Sequence, residues 1–189
     1  LKRDFDVFLS LLGIIVFSPV MLIVWGLIRI LSPGGPSVYA QERVGFGGKI
    51  FKLYKFRTMV PDAEKMTGPV LAQEDDPRKT PLGRCLRKTN LDELPQLFNI
   101  LKGDMSFVGP RPERPEFVNE FKEMIPKYME RHKIRPGLAG WAQLHGGYNM
   151  PAEEKIKYDL FYIENWSFIL DIKIILKYIE ISFLMQRAN

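Results

Sequence analysis

From Val7 to Ile28 the chain reads VFLSLLGIIVFSPVMLIVWGLI, 22 residues without a charge. A helix needs about 20 apolar residues to cross the hydrocarbon core of a bilayer, so the length of this segment permits a full crossing. The run is long for a cleavable leader and lacks a small-residue cleavage site. Two features complicate a straight crossing. Pro19 has no N–H for the carbonyl of Ile15 and its ring presses on that carbonyl, which predicts a kink; the Ser18 hydroxyl can reach back one turn and relieve part of the loss. Both flanks are basic, with Lys2 and Arg3 before the segment and Arg29, Arg43, Lys49 and Lys52 after it. Basic flanks favour the cytoplasmic side, so a helix that enters, bends at Ser18-Pro19 and returns satisfies both ends. A kinked single-pass helix remains the alternative.

The rest of the 189 residues suffices for one folded unit. The net charge of +5 points to an anionic partner such as a membrane surface, a phosphorylated substrate or nucleic acid. Nucleic acid is disfavoured, because no element interleaves aromatic and basic residues. Cys85 is the only cysteine, which excludes an intrachain disulfide and argues against a cysteine-based zinc site.

SPGGPS (32–37) is a turn-rich linker. VYAQERV and KIFKLYKF flank GFGG, the pattern of a β-hairpin with a glycine turn. Residues 60–82 read as a polar loop with a short helix. Phe117, Phe121, Met124, Ile125 and Tyr128 share a helical face, either core-facing or set on anionic lipid. The C-terminal segment NWSFILDIKIILKYIEISFLM is apolar but carries Asp171, Lys173, Lys177 and Glu180. Each charge costs about 3 kcal/mol at a bilayer centre, so the segment should lie at the interface or pack on the domain.

TNLDELPQL sets Asp92 and Glu93 side by side. Acids favour a first helical turn, where they complement the dipole, and Pro95 fits such a turn because its missing N–H has no partner there anyway. The same features describe a site for phosphate, with Arg84, Arg87, Lys88 and Arg111 close in sequence. Arg111 and Arg114 lie in a proline-punctuated loop with no evident packing role. His132 and His145 read as structural or solvated, since nothing nearby completes a triad. Trp141 and Trp166 read as packing or interfacial anchors.

LRKTNLDELPQLFNILKGDMSFVGPRPERPEF, preceded by YKFRTM and followed by RPGLAGWAQLHG and KYDLFYIENWSFILDIKII, resembles the bacterial sugar transferase family, the monotopic phosphoglycosyl transferases. The resemblance covers nearly the whole chain and implies a mainly helical α+β fold. That fold would have a re-entrant membrane helix broken at Ser18-Pro19 (residues 1–31). A catalytic part (32–189) on the cytoplasmic face of the inner membrane would carry a small β-hairpin and amphipathic interfacial helices. Larger members have further N-terminal membrane helices and another domain, so the chain looks like the catalytic part of such a protein.

The implied reaction moves a sugar 1-phosphate from a UDP-sugar to undecaprenyl phosphate and releases UMP, opening glycoconjugate or exopolysaccharide assembly. In the family Asp92 corresponds to the nucleophile, which forms a covalent glycosyl-phosphate. Asp92 and Glu93 correspond to a dyad associated with Mg2+. Lys55, Arg57, Arg87, Arg111, Arg135 and Asp159 match residues that line the substrate site. In GLAGWAQ, Ala139 replaces the Thr or Ser often found in the family before the glycine at Gly140, which bears on the sugar pocket; galactose or glucose is expected ahead of N-acetylated sugars. The apolar helices leave a homodimer open. Competing readings are a membrane-anchored phosphohydrolase and a non-enzymatic adaptor for anionic lipid.

Overall fold

A computed structural model describes residues 1–64, 68, 76–146 and 150–187, with side chains described to Ile181. The elements in chain order are α1 (Lys2–Leu31), β1 (Val38–Val44), β2 (Ile50–Phe56), α2 (Pro81–Lys88), α3 (Gln96–Lys102), β3 (Ser106–Val108), α4 (Pro115–Met124), β4 (Gly137–Ala139), α5 (Trp141–His145), α6 (Ala152–Glu164) and α7 (Phe168–Arg187). The architecture is mainly helical, as the sequence implied, with two small sheets in place of one hairpin.

The apolar segment forms one helix of 30 residues, about 45 Å long at 1.5 Å per residue. It was expected as two helices around a break, yet no non-helical residue separates two halves at Ser18-Pro19. The Ser18 hydroxyl donates to the Ile15 carbonyl at 2.9 Å, the acceptor that Pro19 cannot serve. That bond lets the turn continue. Asp6, Ser10, Met21, Val24 and Ile28 are buried, while Phe8, Ile15, Leu22, Ile23 and Ile30 are exposed.

Both ends of α1 are fastened to the same domain. Near its start Arg3 donates to the Ile100 and Leu101 carbonyls, each at 2.6 Å. Asp6 accepts from the Ser106 hydroxyl and the Phe107 N–H, each at 3.1 Å. Near its end Met21, Val24 and Ile28 pack with Phe56 and Leu86, and Ser37 donates to the Trp25 carbonyl.

β1 and β2 pair antiparallel from Val38↔Phe56 to Val44↔Ile50. The GFGG stretch is the turn between them, with Gly47 and Gly48 at φ 64° and 77°, conformations that side chains disfavour. β3 and β4 form a short parallel pair that the sequence did not signal. The helical face read through Tyr128 is interrupted: α4 stops at Met124, which is exposed, whereas Ile125 and Tyr128 are buried. Pro126 disfavours helical geometry at the preceding residue and ends the helix there. Of the stretch 60–82, expected as a loop with a short helix, residues 65–67 and 69–75 lie outside the described residues, and α2 begins at Pro81. α7 packs on the domain through Ile174, which joins Val108, Ala139 and Tyr162 in the core. Its buried Asp171 accepts from Tyr162 and from the Trp166 indole at 2.6 and 3.1 Å, which ties the exposed Trp166 ring to the start of α7. Trp141 stacks on Phe161.

Candidate active site

The dyad sits in a single 3₁₀ turn, Leu91–Glu93, and α3 begins only at Gln96. The dyad, expected in a first helical turn, thus stands in a separate turn ahead of the helix. Asn90 takes a left-handed conformation (φ 55°), which asparagine tolerates, and reverses the chain after α2. Leu91 and Leu94 pack against the cluster around Met21 and Ile28, fixing the turn through its apolar side. Asp92 and Glu93 are both buried, at 6% and 8% exposure.

The basic residues arrive from separate elements. β2 carries Lys55, and Asn99 of α3 locks onto the same strand by accepting from the Tyr54 N–H and donating to the Lys52 carbonyl. Arg87 comes from α2, whose first turn is capped by the Thr80 side chain accepting from the Gly83 N–H at 2.9 Å. A Cβ at Gly83 would stand 1.9 Å from the Thr58 carbonyl oxygen, so α2 approaches this backbone as only glycine allows. That approach lets Arg87 donate to the Thr58 hydroxyl at 2.9 Å. Arg111 follows β3.

The two carboxylates are treated unequally. One oxygen of Glu93 accepts from Lys55 at 2.7 Å and from Arg111 at 2.8 Å. Its other oxygen accepts from the Tyr178 hydroxyl of α7 at 3.4 Å. Burial works against the Glu93 charge, but Arg111 and Lys55 together hold its carboxyl below the usual range. The Asp92 carboxylate makes no hydrogen bond among the described residues. Burial, and then the Glu93 charge, push it up to about 6 against the pull of Lys55, Arg87 and Arg111. A carboxylate with that value is still mostly ionised at neutral pH and more basic than a free one.

The other residues proposed from the sequence have different surroundings. Asp159 is paired with Arg131 at 2.7 Å, both almost fully buried. Arg131 also donates to the Arg111 carbonyl at 2.9 Å, so Asp159 reaches the site through two intermediaries. Arg57 hydrogen-bonds the Ser32 carbonyl and secures the linker after α1. Its Nε and Nη1 are buried with no partner among the described residues. Arg135 donates to the Gly103 carbonyl at the far end of α3. Arg114 pairs with Glu64 at 2.9 Å. Buried His132 is pushed down to about 4, chiefly by burial, and His145 lies against Trp141 and Tyr158. Tyr178 was not singled out from the sequence, because the periodicity of α7 says nothing of which neighbour it meets.

No group of three or more His, Cys, Asp or Glu among the described residues could hold a metal. Magnesium, however, is commonly held by one or two carboxylates together with substrate phosphates. Uncommitted Asp92 and the second oxygen of Glu93 fit that pattern.

The sequence matches the family described as bacterial sugar transferase over residues 1–185. It is 47% identical over 183 residues to a UDP-N-acetylgalactosamine-undecaprenyl-phosphate N-acetylgalactosaminephosphotransferase of Aeromonas hydrophila, covering 95% of this chain and 43% of that protein. It is 41% identical over 181 residues to the UDP-glucose:undecaprenyl-phosphate glucose-1-phosphate transferase of Escherichia coli K12, covering 93% and 38%. An undecaprenyl-phosphate galactose phosphotransferase of Salmonella typhimurium is 38% identical over 191 residues, covering 94% and 39%. The chain thus spans about two-fifths of the length of these three relatives. With the family match running through the apolar helix, the acidic dyad and the last helix alike, the chain belongs to the bacterial sugar transferase family.

Proposed function

We propose that this chain is the catalytic part of a transferase that moves a sugar 1-phosphate from a UDP-sugar to undecaprenyl phosphate, with release of UMP. The observation that carries the reading is the Asp92 carboxylate, buried, free of hydrogen bonds among the described residues, and set in the field of Lys55, Arg87 and Arg111. A Asp92 oxygen attacks the phosphorus next to the sugar, and the bond from that phosphorus to the UMP oxygen breaks. The sugar phosphate is then held on Asp92 as an acyl phosphate. An oxygen of the lipid phosphate attacks the same phosphorus, and the carboxylate leaves as it was. One anhydride is exchanged for another at each step, so no outside energy source is needed, and two dissimilar substrates use one site in turn.

The obstacle is charge. A carboxylate about 4 Å from a phosphate oxygen is repelled by about 4 kcal/mol per charge pair at an effective dielectric of 20. Arg87 and Arg111 offset that repulsion and stabilise the charge gathering on UMP. Glu93 keeps Lys55 and Arg111 converged beside the nucleophile. Magnesium, held by Asp92 and the second oxygen of Glu93 together with substrate phosphates, would neutralise the diphosphate.

We place the site at the cytoplasmic face, with the unbroken helix α1 seated in one leaflet by its apolar outer face and not crossing the bilayer. Support comes from the fastening of both ends of α1 to one domain while its outer face stays apolar. Monotopic insertion of this kind would hold Asp92 at the depth of the acceptor phosphate. The named relatives differ in sugar, and the Aeromonas protein is named for an N-acetylated one, so membership of the family does not fix the sugar.

The test is a panel of UDP-sugars with undecaprenyl phosphate and magnesium. UMP release is expected with one sugar, with a sugar-phosphate adduct on Asp92 when the acceptor is withheld, and neither in Asp92→Asn. Full turnover in Asp92→Asn would overturn the reading. Free sugar phosphate released without acceptor would favour the hydrolase.

A further inference from the structure

A cavity of about 300 Å³ opens at the other end of α3 from the dyad, lined by Lys2, Arg3, Asp6, Lys133, Arg135 and the ring of Trp166, among others. Seven helical residues, about 10 Å at 1.5 Å each, separate the two ends of α3. Nothing in the proposed reaction uses this cavity. We propose that it binds the phosphate of an anionic glycerophospholipid headgroup, with phosphatidylglycerol as the probe.

Charge is the first argument. Four cations line the cavity against one carboxylate, Asp6, which is only 2% exposed and accepts from Ser106 and Phe107. Lys2 is balanced by Asp171, and Lys133 by Glu130. Arg3 and Arg135 have only neutral acceptors among the described residues: the carbonyls of Ile100 and Leu101 for one, of Gly103 for the other. Both guanidinium groups therefore converge on the carboxyl end of α3 with no ion-pair contact among the described residues. Capping that helix accounts for part of this arrangement, since cations favour a helix C-terminus. It does not account for the open volume or for Lys133, whose side chain is 64% exposed.

Position is the second argument. Lys2, Arg3 and Asp6 of the lining belong to the first turns of α1, where Phe5 meets Phe168 edge to face at 5.2 Å and Phe8 and Ile169 are exposed. Trp166, partly exposed, has Lys2 6.0 Å from its ring, and Phe46 has Arg135 at the same distance. Aromatic rings and basic side chains together mark headgroup depth. A basic pocket at that depth suits a headgroup phosphate whose acyl chains run along the apolar face of α1.

The whole chain, purified in detergent, is titrated with phosphatidylglycerol and with phosphatidylcholine of the same acyl chains, and retained lipid is read by native mass spectrometry. One phosphatidylglycerol is expected to be retained, and phosphatidylcholine is not. Lys133→Glu and, separately, Arg135→Gln should each weaken retention about fivefold or more, in line with the worth of one basic residue near an anionic surface. Lys177→Glu, the same change of charge as Lys133→Glu but on the exposed side of α7, should leave it unaltered. Equal retention of the two lipids, or an equal loss in Lys177→Glu, would overturn the proposal. So would displacement by glycerol 1-phosphate as effective as by intact lipid, which would make the ligand a free phosphate. Displacement by undecaprenyl phosphate as effective as by phosphatidylglycerol would assign the pocket to the acceptor and equally overturn it.

Discussion

The phenol of Tyr178 stands 3.4 Å from Oε2 of Glu93, joining the last helix to the acidic dyad across 85 positions of sequence. Burial pushes the phenol up from its ordinary value, so it remains a donor at neutral pH. Tyr178→Phe removes that donor and keeps the ring. One neutral donor is worth about 1 kcal/mol, so kcat should fall about fivefold with KM for the UDP-sugar nearly unchanged. Steady-state kinetics on the two proteins decide it, and an unchanged kcat would show that Oε1 alone holds Glu93 in place.

The Asp92 carboxyl is pushed up to about 6, and only its ionised form can attack phosphorus. UMP release measured without acceptor should therefore rise with pH and reach half its plateau near 6. Leaving out the acceptor keeps the titration of the lipid phosphate out of the profile.

Because the folded value of Asp92 exceeds the ordinary 3.8, the native state binds the extra proton, and stability falls as pH rises from about 4 through about 6. Asp92→Asn abolishes that loss. The variant should be more stable than the parent by on the order of 2 kcal/mol at pH 7, with the gain gone below pH 4. Denaturant titrations in detergent at the two pH values test this, and a variant less stable at pH 7 would contradict it.

Asp159→Asn leaves the Arg131 guanidinium buried without its counter-charge. Breaking such a pair costs about 3 kcal/mol, and Arg131 would also loosen its hold on the Arg111 carbonyl. A fall in both thermal midpoint and kcat is expected. Asp159 acts here as a positioning residue, so if it touched substrate directly the change would fall on KM with stability preserved.

Gly83→Ala forces a methyl group against the Thr58 carbonyl. Overpacking of this kind costs about 1–3 kcal/mol, and relief requires α2 to move away, carrying Arg87 with it. Loss of kcat/KM beyond the loss of stability, measured at a temperature where the variant is folded, is the expected result.

Much of the fold is legible in the sequence because it is local. The hairpin follows from alternating residues around GFGG, and the compensation at Pro19 follows from a serine one position earlier. Asp92 and Glu93 stand out by adjacency, with Arg87 and Arg111 drawn to them by closeness in sequence and Lys55 by the family likeness. What escapes is long-range. The β3–β4 pairing joins two three-residue strands too short to carry a period. Arg57, Arg135 and Asp159 are charges whose neighbours depend on packing between distant elements, and the structure sets them against Ser32, Gly103 and Arg131. Met124 fails to join the core because Pro126 acts two residues downstream of it.

The first turn of α1 finds its anchors at Ile100, Leu101, Ser106 and Asp171, residues that leave the ribosome long after it does. During synthesis the most apolar stretch of the chain emerges without its eventual neighbours and needs a lipid surface or a chaperone to shield it. Seating of that stretch and closure of the domain are then the final act of one cooperative assembly, completed only when α7 arrives.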